Sequence, residues 1–576
     1  MSVRHHFLAS LAGLAGLAGC AGDFPDQNTP GDGCAVNIVS SPEILVASST
    51  SLVRLAAVAG ERRPYGYEWQ VTYGGQPIET TPASAASSEI EFIAPTPGIY
   101  QVAVRAVPGS NCAALREDLN VRAPDAVLRP YRLRLTPSTD TAAVEDVVIT
   151  VPSGADFSYG RRALTEAVST PGAVRLGEAP LPAYLRFTGV GSAEPLAEVA
   201  AGADGAFSAP LIAGPHDVLV VPTSDVAPMR FAAWAPARGP LVVVPGVTVS
   251  GVVRDAVGPL AGARVSLRVD GVPSTVGVSA GDGTFAVQAR TGTSVELTVI
   301  PPLGSGLPRL VGSSTSLDLA QSLAIRFADL PRRDLGGLEL RRGGAVAPGA
   351  SVTFVAELPA AGTATAGSAV TLRGVLAVRA QAAANGRLPS TQVVATALSA
   401  VLQPAAGEQA VVTLDAAAPP AALDAPPMQQ VTGVVTAGGQ PAVGAMVALA
   451  PQGALALAGA APRTERTAED GSYVLPAAPG GSYRARVSDP RFRGAPSSTG
   501  LISAGSQPPH ALAPGWQLVG ALTRPSSLAG AAGVGVAVYC PELLGQPSTQ
   551  PLSETVTGVD GRFLLVVPDA PACPGS

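Results

Sequence analysis

Four times in this chain an aspartate is followed by glycine and, two residues after that, by an aromatic ring. The four are Asp204-Gly205-Ala206-Phe207, Asp282-Gly283-Thr284-Phe285, Asp470-Gly471-Ser472-Tyr473 and Asp560-Gly561-Arg562-Phe563. A carboxylate repeated in one setting is either a repeated ligand or acid, or a repeated turn. A calcium loop needs several acidic oxygens at alternate positions, as in DxDxDG. "AGADGAF", "SAGDGTF" and "TGVDGRF" supply one acid each, and "AEDGSY" adds only Glu469. In a two-residue hairpin turn both central positions take φ > 0, which Asp tolerates and Gly prefers. The ring that follows then opens a strand and points into a core. Asn385-Gly386-Arg387-Leu388 repeats the pattern with a side chain that suits the turn and carries no charge. The expectation is therefore a structural turn at Asp204, Gly205, Asp282, Gly283, Asp470, Gly471, Asp560 and Gly561.

Other chemistry is thinly provided. Beyond the first twenty residues the only histidines are His216 and His510, so any Ser-His-Asp or Cys-His site would need one of them. His216, beside Asp217 in "AGPHDVLVV", reads as a surface turn residue, and His510, in "SQPPHALAP", as part of a linker. All 37 basic residues are Arg. The absence of Lys excludes a Schiff-base lysine, a P-loop lysine and a Lys-based isopeptide cross-link. The Gly-rich "GVGVAVY" lies within a strand pattern with no helix to cradle a phosphate. The Arg residues are scattered, so no nucleic-acid footprint appears. The reading is no catalytic residue, no metal, no cofactor and no nucleic-acid partner.

The chain opens "MSVRHHFLASLAGLAGLAGCAGDF", with Arg4 ahead of an apolar run from Phe7 to Gly19. That run is short for a bilayer span and suits a signal-peptide core. Leu17-Ala18-Gly19-Cys20 resembles the bacterial lipoprotein lipobox. The resemblance implies cleavage before Cys20 and acylation there, hence a membrane anchor. Ala21, which is not acidic, favours delivery to the outer membrane in the Gram-negative sorting scheme. Cys34, Cys112, Cys540 and Cys573 remain, an even number in an exported chain. Proximity favours disulfides Cys34–Cys112 and Cys540–Cys573 over a metal site.

The 576 residues exceed a single core, and Gly 65 with Pro 55, 47% hydrophobic and 14% charged residues place the chain among folded proteins. "EIEFI" and "YQVAVRAV" alternate with a two-residue period, as half-buried strands do. "YEW" (67–69) and "PGIYQVAV" (97–104) resemble a PKD-like or immunoglobulin-like β-sandwich, with Trp69 plugging the core and Tyr100 opening a late strand. Three later stretches, 249–302, 431–489 and 518–571, each join a strand carrying Gly251, Gly433 or Gly520 to a turn, a "GA.V.L"-type strand and the Asp-Gly hairpin. This combination resembles the carboxypeptidase regulatory-like family, a transthyretin-like sandwich; the peptidase's own His/Glu/His zinc set is missing. Residues 180–222 fit the template loosely and 341–415 more loosely still.

The expected architecture is all-β, a tandem array of small antiparallel β-sandwich domains. Its parts are a signal peptide (1–19), a lipidated tether (20–33), a PKD/immunoglobulin-like sandwich (34–123), a divergent regulatory-like sandwich (124–240), a regulatory-like unit with connector (241–340), a degenerate sandwich (341–425) and two regulatory-like units (426–512 and 513–576). Segments 124–160 and 303–340 find no owner. "GRRALTEAVST" (160–170) is the one helix candidate and lacks caps. The functional expectation is a non-enzymatic, lipid-anchored outer-membrane protein acting as stalk, adhesion or protein-interaction scaffold, with envelope or extracellular proteins as partners. The alternative is a carbohydrate-binding surface lipoprotein using Trp69, Trp234 or Trp516 as platforms.

Overall fold

Period-two alternation becomes strands almost throughout the computed structural model, as in Glu89–Ile93, where Ile90 and Phe92 are buried between exposed or half-buried neighbours. The structure describes residues 36–41, 45–59, 66–82, 87–107, 115–139, 141–152, 156–190, 192, 194–404, 409–489, 494–525, 527, 529–540 and 551–568. Cys20, Cys34, Cys112 and Cys573 lie outside them, as do the expected signal peptide and tether. The helix candidate at 160–170 is extended instead, its two ends in strands Phe157–Ala163 and Val168–Leu176. Leu164 between them is buried in the core, and tertiary packing overrides weak helix propensity. Among the described residues the helical elements are one four-residue α-helix, Ala454–Leu457, and a 3₁₀ turn, Pro236–Arg238.

The chain divides into two compact units, 1–125 and 126–576. In the first, a three-stranded sheet (Val36–Ser41, Leu52–Ala59, Glu89–Ile93) faces a five-stranded one containing Gly66–Tyr73 and Gly98–Val107. Tyr100 is fully buried, its ring 4.7 Å from Tyr73 and 5.8 Å from Phe92. Trp69 is half-buried against this core, and its indole N–H donates to Ser87 O at 2.9 Å.

The second unit repeats one topology five times. In the third sandwich of the unit, strand Val247–Arg254 pairs antiparallel with Thr284–Ala289, the strand after the Asp-Gly turn, and parallel with the last strand, Leu323–Phe327. Arg264–Val269, Val295–Ile300 and Arg309–Ser314 build the facing sheet. A parallel pairing of first with last strand recurs in the second sandwich (Val168–Leu176 with Leu241–Val243), the fourth (Glu339–Arg342 with Ala422–Ala425) and the fifth (Gln429–Ala437 with His510–Leu512).

The remaining sandwich is split across the unit. Gly515–Thr523 pairs antiparallel with Arg562–Pro568, but its parallel partner is Phe157–Ala163, far upstream. Gly535–Tyr539 pairs with Ser553–Val556 and with Leu128–Thr136, which in turn pairs with Glu145–Pro152. The topology is that of the third sandwich, circularly permuted, with its last three strands supplied by 128–163. We call it the closing sandwich. It gives the unowned stretch 124–160 its place, and in these pairings 513–576 does not stand alone, nor does 124–163 join the residues that follow it.

The stretch 303–340 divides as well: Arg309–Ser314 and Leu323–Phe327 complete the third sandwich, while Arg332–Asp334 and Glu339–Arg342 begin the fourth. A long hairpin, Ser351–Ala366 and Ser368–Gln381, joins the two. Its base pairs with Ala397–Gln403 of the fourth sandwich. Its tip, past a register shift between Leu358 and Gly362, pairs with both Leu323–Phe327 and Arg309–Ser314 of the third. The bulge bends the hairpin from one core to the next.

Candidate functional site

The five Asx-Gly turns are built alike, atom for atom. The side-chain oxygen of Asp204, Asp282, Asn385, Asp470 and Asp560 accepts the backbone N–H two residues on, at 3.0, 3.0, 3.0, 2.9 and 3.0 Å. Each following glycine has positive φ: Gly205 74°, Gly283 78°, Gly386 74°, Gly471 76° and Gly561 78°. Among these pairs only the glycine lies at positive φ, so the expected two-residue turn is replaced by a longer loop closed by a left-handed glycine. The N–H of Gly471 donates to Ala468 O and that of Ala468 to Ser472 O, and the other four loops repeat both bonds. The two-residue turn with positive φ at both positions does occur, at Asp270-Gly271 (48° and 79°), between Arg264–Val269 and Val272–Pro273.

The glycine is needed for a second reason. An added Cβ on Gly205, Gly283, Gly471 or Gly561 would lie 2.4, 2.4, 2.5 or 2.0 Å from the carbonyl oxygen of Val174, Val253, Val435 or Leu522 on the first strand. The glycine carbonyl accepts the N–H of that same first-strand residue in all four cases. The turn is thereby pinned to the adjoining strand.

The aromatic ring after each turn covers a second glycine directly across the sheet. Phe207 pairs with Gly172, Phe285 with Gly251, Tyr473 with Gly433 and Phe563 with Gly520. A Cβ on these glycines would approach the ring within 2.3 to 2.7 Å. Gly251, Gly433 and Gly520 are thus explained by ring packing; Gly172 is the member that lay outside the loosely matched stretch. At the fourth turn Leu388 replaces the ring, and its N–H donates to Leu338 O.

A hydroxyl three residues before the aspartate completes the constellation in three sandwiches. Ser279 Oγ accepts Ala263 N–H at 2.8 Å and donates to Leu260 O at 2.6 Å. Thr467 Oγ1 accepts Ala445 N–H at 2.8 Å and donates to Ala442 O. Thr557 Oγ1 accepts Val534 N–H at 3.0 Å and donates to Ala531 O at 2.6 Å. All three side chains are buried. Ala201 and Ala382 hold the equivalent positions in the two loosely matching sandwiches. The signal was present as S/T-x-x-D-G, and it separates the three strong matches from the two weak ones.

The carboxylates are spent on these bonds. The hydroxyl and N–H of Thr284 hold Asp282 below the usual carboxylate range, and those of Ser472 do the same for Asp470. Among the described residues no group of three or more His, Cys, Asp or Glu is placed to hold a metal ion.

The two histidines sit otherwise than expected. His216 is a buried residue of strand His216–Pro222, not a surface turn residue, and its Nε2 has no hydrogen-bond partner. Its burial depresses its pKa. The neighbouring Asp217 accepts Ala233 N–H at 2.8 Å and meets Arg230 at 3.2 Å, holding Ala233 at φ 48°. His510 opens a strand paired in parallel with Gln429–Ala437 rather than lying in a linker, and its Nε2 lies 2.5 Å from Ser497 Oγ. Burial depresses its pKa too. Neither histidine gathers an acid and a nucleophile together.

Trp234 and Trp516 are core residues. Trp234 is 4% exposed and donates to Gly239 O at 3.0 Å, beside a shallow groove lined by Pro171, Arg175, Pro236 and Pro240. Trp516 is 3% exposed, in the closing core, 5.4 Å from Tyr131.

Several Arg side chains bridge neighbouring sandwiches, which the scattered Arg pattern did not foretell. Arg134 of the closing sandwich meets Asp146 at 3.0 Å and Glu194 of the second at 2.8 Å, and donates to Pro195 O at 2.5 Å. Arg132 reaches the same Glu194 at 3.3 Å and lies 4.5 Å from the centre of the Tyr539 ring. Burial raises the pKa of Asp146 against the opposing pull of Arg134 and Arg132. Arg290 of the third sandwich donates to the carbonyls of Ala227 (2.6 Å), Pro228 (2.7 Å) and Val244 (2.9 Å) at the junction with the second. Arg332 pairs with Asp255 at 3.2 Å between the third and fourth.

No family model matches this chain, and no curated protein does. Among solved structures, the TIE protein of Bacillus anthracis aligns at 9% identity with a TM-score of 0.14, covering 85% of this chain and 75% of that one. Immunoglobulin domains 1–5 of Sidekick-1 align at 11% identity with a TM-score of 0.11, covering 83% and 99%. Likeness at this level transfers no activity, and the chain is placed by its own strands as an all-β tandem array of small antiparallel sandwiches.

Proposed function

We propose that this protein is a non-enzymatic envelope scaffold, anchored by lipid on Cys20 at the outer membrane, whose sandwiches serve structure and protein contact. The observation that carries the reading is the replicated turn: one oxygen of every recurring carboxylate accepts the backbone N–H two residues on, and the uncharged Asn385 makes the same bond. A set of catalytic or ligating acids would instead leave oxygens directed at a common point. Disulfide pairing of Cys34 with Cys112 and of Cys540 with Cys573 belongs to this proposal, as does export. The carbohydrate alternative lacks support from the tryptophans, since two are in cores and Trp69 is hydrogen-bonded and half-buried. An extended stalk is also less favoured for 126–576, because its first and last strands share one sandwich. Metabolic labelling with a fatty acid, compared between the natural chain and Cys20→Ser, tests the anchor. Label retained by the Cys20→Ser chain, or a natural chain that fractionates away from membranes, would overturn it.

A further inference from the structure

We infer that the closing sandwich is a latch, whose stability is conditional on every other sandwich of the second unit being folded. Its two halves, 128–163 and 515–568, are separated in sequence by about 350 residues. Four folded sandwiches lie between Ala163 and Gly515, each in contact with the next. Glu194 is held by Arg132 and Arg134, Arg290 ties the second to the third, and the long hairpin joins third and fourth cores. Val355 and Val401 of the fourth pack into the core of the fifth, and Val411 N–H donates to Pro479 O. Arg486 of the fifth reaches Pro551 O at 3.1 Å and Glu554 at 3.8 Å in the closing sandwich. The contacts therefore form a cycle, and the cycle is closed where the two halves of the closing sandwich pair and pack.

Two half-sandwiches on a folded connector meet at a high effective concentration; a flexible segment within that connector lowers it sharply. Each half alone exposes what the other buries: Leu133, Leu135 and Ile149 on one side, Leu518, Val536 and Leu565 on the other. Opening any intermediate sandwich must accordingly weaken the latch, although the latch shares no core residue with the fourth sandwich. An open latch leaves the intermediate cores with their own strands complete, so each loses only the coupling free energy and keeps its own packing. The coupling is reciprocal and reaches across the unit, unlike that of a linear array, in which each repeat feels only its neighbours.

The test is hydrogen exchange on the full chain. Phe354→Ala removes a fully buried ring from the fourth core, and Phe354→Leu is a milder second variant should the first not fold. Amides of Leu128–Thr136 and Gly515–Thr523 are expected to exchange about tenfold faster or more, equivalent to ~1.4 kcal/mol of opening free energy. Leu133→Ala in the latch is expected to release those same amides, and to speed exchange in Ala397–Gln403 of the fourth sandwich by no more than the factor measured in the opposite direction, about tenfold. Latch amides that keep their protection while the fourth sandwich opens would overturn the inference. So would a Leu133→Ala chain in which all five sandwiches exchange at one common rate, as a single cooperative unit would.

Discussion

Replacing Thr557 by Val tests whether the hydroxyl three residues before the Asp-Gly turn holds the sandwich together. The two side chains have nearly the same shape, so the change removes hydrogen bonding and leaves volume almost untouched. Thr557 is buried, accepts Val534 N–H at 3.0 Å and donates to Ala531 O at 2.6 Å. Valine leaves one donor and one acceptor unsatisfied away from water, at about 1–3 kcal/mol each. Partial relaxation of the loop brings the expected total to about 2–4 kcal/mol. With an m-value of about 2 kcal/mol/M in urea, the midpoint falls by roughly 1–2 M. The assay is urea unfolding followed by Trp516 fluorescence, with Trp69 and Trp234 replaced by Phe, because Trp516 lies in the closing core. A local probe is required, since a chain of several sandwiches has no single two-state transition. A loss below about 0.5 kcal/mol would refute the staple.

Three further predictions share the same logic. Gly433→Ala places a Cβ about 2.7 Å from the Tyr473 hydroxyl, so it should destabilise the fifth sandwich by about 1–3 kcal/mol. Combining it with Tyr473→Leu, the residue type that the fourth sandwich uses at Leu388, should recover part of that loss in a double-mutant cycle. His216 has a depressed pKa in the folded state, so the unfolded chain binds more protons as pH falls through about 6.5. Stability of the second sandwich, read from Trp234, is therefore present above that pH and lost below it, and the dependence disappears in His216→Gln. Arg290→Met removes three bonds to carbonyls and should loosen the junction of second and third sandwiches, seen as faster exchange at Leu241–Val243 and Val247–Arg254.

Much of this fold was legible because its signals are local. Asp-Gly followed by a ring marks a tight turn wherever it falls, since only glycine fits the left-handed position, but the strands on either side pair with different partner strands and not with each other as a hairpin would. The details of that turn were less legible. Asp282 and Asp270 both precede glycine, yet only Asp270 adopts positive φ, and the choice is made by the partner strand rather than by the dipeptide. The long-range pairing was hidden for a different reason. Residues 128–163 carry strand alternation but no turn signature, because the signature of their sandwich lies at Asp560-Gly561. His216 was misplaced because an isolated His-Asp pair after Gly-Pro looks exposed, and only the tertiary fold shows it to be buried in its strand.

If the recurring aspartates serve their own backbone, as proposed, calcium has no site at these turns. Calorimetric unfolding of the full chain, with and without calcium, addresses it directly. The comparison chain carries Asp204→Asn, Asp282→Asn, Asp470→Asn and Asp560→Asn, which copy the turn already made by Asn385. The natural chain is expected to show no calcium-dependent rise in Tm, and the substituted chain a Tm within a few degrees of it. A Tm that rises with calcium in the natural chain and not in the substituted one would contradict it.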